Sequence, residues 1–187
     1  MNGTAPGSMD RDGAVQEACG WLTSSIALAL WLERRLDMAI YGLRVISFIF
    51  VALAFVPAAA HFFSMFNKMK LDGTSYLAAQ RAYDGWSLFG IVVLGALLST
   101  AALAVLLYRS GGAFGLVVLA FISIGATQLA FWTLTYPINQ ATRNWTVLPE
   151  NWELLRRQWE YSHAIAAGLN ALALLVLFIS ALRAAVR

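Results

Sequence analysis

Two histidines, His61 and His163, are the side chains of this sequence whose ordinary pKa lies near neutrality. An imidazole there can take a proton from a weak acid, return it, or ligate a metal. Glu160 stands three residues before His163, the spacing at which a helical carboxylate could hold the ring. That Glu-x-x-His spacing is also one half of a di-iron element, but a complete site needs a second such element and two further carboxylates. We read His163 as the candidate base with Glu160 behind it, and His61 as the group that binds or polarises a substrate oxygen. Gln128, Trp132, Asn139, Trp159 and Asn170 form the candidate substrate-binding set. Two other readings stand beside this one. The histidines and amides could hydrogen-bond between helices, at about 0.6–2 kcal/mol each, or the two histidines could ligate haem or copper. No resident cofactor is expected under the first reading.

The elements that must position these residues follow from hydropathy. The chain has 187 residues, 60% hydrophobic and 12% charged, with a mean hydropathy of +0.67. Soluble domains run near about 45–50% apolar and about 25% charged. Uncharged runs at 45–67, 85–108, 110–142 and 161–182 are 23, 24, 33 and 22 residues long, and each exceeds the roughly 20 residues that cross a bilayer core. The expectation is an all-α integral membrane four-helix bundle, with spans at about 39–65, 86–108, 114–136 and 161–182. No span contains a carboxylate.

Residues 1–20 are expected to be a disordered tail, and 21–37 an interfacial amphipathic segment ending near Glu33, Arg34 and Arg35. Met38, which opens the first span, is an alternative start of the chain. Pro57 lies inside the first span, and Pro137 is expected to end the third. The link 109–112 makes spans two and three antiparallel neighbours. The two longer loops, 67–85 and 138–160, share the opposite side of the membrane. After Pro149 the acids Glu150 and Glu153 start a helix that runs unbroken to about Leu182.

Any four-span arrangement brings the end of span one and the start of span four, and with them the two histidines, to one side. At 100° per residue, Trp152, Trp159, His163 and Asn170 fall within about 40° of one another. Gln128, Trp132, Thr135 and Asn139 share a similar arc, and Ser47, Ala54, Pro57 and His61 share a face. The expected result is one polar pocket lined by His61, Gln128, Asn139, His163 and Asn170.

A net charge of +3 raises nucleic acid as a partner, but the 13 Lys and Arg are scattered between spans without a basic stripe, so none is expected. One cysteine, Cys19, excludes an intrachain disulfide. The expected partners are the lipid bilayer and a hydrophobic small molecule, with homo-oligomerisation left open. Charges near the span ends favour cytoplasmic termini, by a narrow margin.

Three segments, VPAAAHFFSMFNKMKL, YDGWSLFGIV and YPINQATRNWTVLPENWELLRRQWEYSHA, carry a resemblance. Over roughly 41–183 the sequence resembles small bacterial four-span membrane proteins of the anthrone oxygenase-like family. The resemblance implies a bacterial inner membrane and cofactor-independent oxygenation of a hydrophobic aromatic substrate, anthrone- or phenol-like, with Pro137, Asn139, Trp159 and His163 on matching motif positions. Many members carry an arginine three residues after the His163 position, where this chain has Ala166. The alternative to an enzyme is a non-enzymatic membrane subunit or small carrier.

Overall fold

Between Trp21 and Lys68 the sequence offers Leu, Ala, Met, Glu and Arg at nearly half of the positions and only one proline, so little in its propensity ends a helix there. In the computed structural model, which describes residues 11–185, helix α1 covers Arg11–Lys68 and passes Pro57. The chain divides into two compact units at Ala39 and Ile40. In the first unit the described residues are helical, and residues 20–39 are exposed along their whole length. Helix therefore replaces the disorder expected at 11–20, and it continues through Glu33, Arg34 and Arg35, where an end was expected. Residues 1–10 of that expected tail lie outside the described residues.

The second unit holds the remaining elements. The loop expected at 67–85 contains helix α2 (Gly73–Gln80), whose N-cap Asp72 accepts from the Ser75 backbone N–H at 3.0 Å and from Ser75 Oγ at 2.7 Å. These bonds hold the exposed Asp72 carboxyl below its ordinary pKa. Two 3₁₀ turns, Arg81–Tyr83 and Trp86–Leu88, lead into α3 (Phe89–Leu106). A tight turn follows, with Gly111 at φ 55°, and α4 (Gly112–Ala130) begins. Beyond it a π-helical segment, Phe131–Thr135, joins α5 (Tyr136–Ala141), and α6 (Trp152–Ala185) completes the chain. Among the described residues, four helices are long and apolar enough to cross a membrane: Gly20–Lys68, Trp86–Leu106, Gly112–Ala141 and Trp152–Arg183.

The third of these corrects the expected stop at Pro137. Proline cannot donate the hydrogen bond of an uninterrupted α-helix and crowds the preceding turn. The chain widens that turn instead, with the Tyr136 N–H reaching back five residues to the Phe131 carbonyl, and the helix continues to Ala141.

The core is apolar and drawn from four helices: Val51 from α1, Ala96 and Leu103 from α3, Val117, Ala120 and Ile124 from α4, and Ala173, Val176 and Leu177 from α6. Without water-driven burial between spans, close approach of small side chains carries the packing. Gly95 is one such point, since a Cβ there would run into the Phe50 ring. A second core, of Tyr76, Ile138, Trp145 and Trp159, caps the bundle on the loop side.

Candidate functional site

Helices α1 and α6 lie antiparallel in a register read from three contacts. Arg44 Nη1 donates to the Ser180 carbonyl at 3.0 Å, the His61 and His163 rings touch, and Lys68 Nζ meets Glu160 Oε1 at 2.8 Å. The α1 face that makes this seam is Ser47, Val51, Ala54, Ala58, His61, Met65 and Lys68, all buried. Their steps alternate between four and three residues, as helices packed side by side require.

The two histidines meet as the span order demands, with ring centroids 4.3 Å apart. Trp159 packs on both, 4.9 Å from His61 and 4.0 Å from His163, while Tyr83 covers His61 at 4.0 Å. The Trp159 indole is fixed in turn, because its Nε1–H donates to Asn139 Oδ1 at 2.7 Å.

Hydrogen bonding assigns the two imidazoles opposite tautomers. His163 Nδ1 lies 3.0 Å from the Trp159 carbonyl, which can only accept, so that nitrogen carries the proton and Nε2 keeps its lone pair. His61 Nδ1 lies 3.4 Å from Lys68 Nζ. The ammonium can only donate, so His61 Nδ1 accepts and its proton sits on Nε2. One ring is thus a base and the other a donor.

Glu160 does not hold His163, contrary to the expectation from its spacing. Its Oε1 pairs with Lys68 and accepts from the Tyr76 hydroxyl at 2.8 Å, and Gln80 Nε2 donates to that hydroxyl at 2.5 Å. The physical reason is charge. Lys68 is buried to 4% exposure and Glu160 to 1%, and a buried ammonium needs a counter-ion more than a neutral imidazole does. Burial first, and the Glu160 charge second, push the Tyr76 phenol well above its ordinary pKa, so it remains a donor to Glu160. Lys68 also lies 5.0 Å from the centre of the Tyr83 ring and 5.3 Å from that of Trp159.

The remaining expected ligand-binding residues separate into two groups. Asn139 and Trp159 join the cluster. Trp132 does not: it is 59% exposed and packs edge-on against Phe131 and at a tilt against Tyr136. Gln128 is half-buried and reaches Thr127 Oγ1 at 3.4 Å. Asn170 is buried but donates to the Ala166 carbonyl of its own helix, leaving Oδ1 without a partner. The arc expected to join Gln128 and Trp132 to Asn139 assumes 100° per residue throughout, and the π-helical turn between them breaks that count.

Lys68, Tyr76, Gln80 and Tyr83 were not among the residues singled out from the sequence. Lys68 had a signal, since 47, 54, 61 and 68 repeat every seven residues. Tyr76 had none, because its place depends on a loop helix folding back over the bundle. Trp145 belongs here as well. Three successive residues at positive φ, Arg143, Asn144 and Trp145, turn its ring onto Tyr76 at 4.9 Å and Trp159 at 5.9 Å.

Haem ligated by both histidines would need an iron between two ring nitrogens, each about 2 Å from the metal. The rings pack directly on each other, so as arranged they do not fit that ligation. Among the described residues no group of three or more His, Cys, Asp and Glu is placed to hold a metal ion.

Fold and site define an all-helical integral membrane protein with a packed histidine pair and a buried ion pair at the loop-side end of its bundle. No family model, curated protein or solved structure matches the chain.

Proposed function

We propose that this protein is a membrane oxygenase acting on a lipid-soluble anthrone- or phenol-like substrate, with His163 as the base. The observation that carries the reading is the opposed pair of tautomers: a lone pair on His163 Nε2 and an N–H on His61 Nε2, on rings whose centroids are 4.3 Å apart. A base next to a donor is the arrangement that removes a proton from carbon while stabilising the charge that develops on the adjoining oxygen. Lys68 adds positive charge behind His61, and Glu160 balances it. The sequence resemblance to anthrone oxygenase-like proteins supports molecular oxygen as the second substrate.

The chemistry balances without a resident cofactor. His163 takes a proton from the methylene carbon, and the electron pair left behind forms a C–O bond to oxygen. The resulting peroxide is protonated by His163. Loss of the second C–H proton then expels hydroxide, which leaves as water, and a carbonyl remains. Anthrone and oxygen become anthraquinone and water.

The test is oxygen uptake and quinone absorbance with purified protein and anthrone. His163→Gln lowers turnover by about 10²–10⁴-fold, and His163→Gln with His61→Gln removes it while the protein still inserts and melts as a folded species. An unchanged rate in that folded double variant overturns the reading.

A second reading, a non-enzymatic subunit or carrier, is favoured by one observation. The rings of His61, His163, Trp159 and Tyr83 fill the space around one another. Absence of oxygen uptake together with a stoichiometric copurifying partner selects it.

A further inference from the structure

A groove of about 520 Å³ runs along the outside of the bundle where the π-helical segment and α5 meet α6. This volume is in the range of small-molecule sites, about 300–1,000 Å³. Its floor is buried, made by Ile138 and Ser162, whereas Thr133, Leu134, Gln158, Tyr161 and Ile165 form exposed walls. No lining residue is charged. The α6 residues that line it bracket His163, so the groove lies at the height of the histidine pair and around the side of the same helix.

Three observations give this groove a ligand chemistry. Four of its nine lining residues, Thr133, Gln158, Tyr161 and Ser162, carry polar groups among apolar neighbours. Pro137, also in the lining, has no N–H, so the carbonyl that position 137 would bond, that of Trp132 in the π register or Thr133 in the α register, lacks its backbone donor. In a lipid environment such a carbonyl is costly unless something donates to it. Finally, Ser162 connects the floor to the histidine: Thr135 Oγ1 and Ser162 Oγ are 2.7 Å apart, and Ser162 Oγ donates to the Trp159 carbonyl that also anchors His163 Nδ1.

We propose that the groove is a binding site for an uncharged, lipid-soluble molecule that carries a hydroxyl donor on an apolar body, for which a 4-alkylphenol is the probe. The hydroxyl serves the carbonyl that Pro137 leaves open, and the apolar body lies along Leu134, Ile138 and Ile165. The site stands without the histidine chemistry, although its floor is hydrogen-bonded to the histidine's anchor.

The test uses the full chain in phosphatidylcholine vesicles and a diazirine-bearing 4-alkylphenol as probe. Peptide mapping finds the label within 133–138 and 158–165. Excess 4-alkylphenol displaces it, whereas the methyl ether, with no donor, competes at least about fivefold less well. Ile165→Trp fills an exposed wall without touching the core and weakens probe binding by tenfold or more. Pro137→Ala restores the missing N–H and removes the preference for phenol over ether. Label spread along all four helices, equal competition by the ether, or displacement by added phosphatidylcholine alone overturns the site. Anthrone turnover is read on the same preparation: hydroxyl-dependent labelling without turnover retires the oxygenase and keeps the groove, and turnover without groove labelling does the reverse.

Discussion

At the scale of single residues, the feature with the largest energetic consequence is the ion pair of Lys68 and Glu160, nearly excluded from water and joined at 2.8 Å. Removing one partner strands the other charge. Lys68→Met alone or Glu160→Gln alone is expected to cost about 3–5 kcal/mol of stability, whereas Lys68→Met with Glu160→Leu recovers most of it. Thermal or denaturant melts in detergent measure this, and a double variant no better than the worse single would contradict it. The sequence indicated which two histidines meet, because their membrane side follows from span order. It could not indicate which partner Glu160 takes. Three residues to His163 and 92 to Lys68 are both short once helices pack, and the choice between them is made by charge.

At the scale of elements, the π-helical segment decides which residues reach the site. It absorbs Pro137 and turns Thr135 and Asn139 inward while Trp132 faces out. Inserting an alanine after Leu134 adds about 100° of helical rotation, and is expected to turn Asn139 from the Trp159 indole and Thr135 from Ser162. Each broken buried bond costs about 1–3 kcal/mol, read as a lower melting temperature and a shifted tryptophan emission. A melt unchanged by the insertion would show that the widened turn does not set this phase. The turn over 143–145 stores strain in the same way. Arg143 at φ 48° is a residue type that pays for a left-handed conformation, and Arg143→Gly is expected to raise stability by about 1 kcal/mol. Neither device was legible beforehand. A proline in a hydrophobic run reads as an end, and only the packing of the next helix shows that the chain gains more by continuing.

At the scale of the whole molecule, four uncharged runs were enough to fix the number and order of the spanning helices, since the cost of burying charge in lipid leaves little choice. The loop side was legible only as sequence rich in detail. Its structure, with α2 bringing Tyr76 onto Glu160, depends on contacts between segments far apart in the chain. This separation bears on biosynthesis. Lys68 and His61 leave the ribosome about 90 residues ahead of Glu160 and His163, an interval on the order of 5–20 s. Throughout it the nascent first span holds an ammonium with no counter-ion, so the bundle cannot close its loop-side end until the last helix inserts. The final helix therefore acts as a checkpoint: a chain released early keeps a hydrated lysine at the membrane edge, a mark by which quality control could tell an unfinished bundle from a finished one.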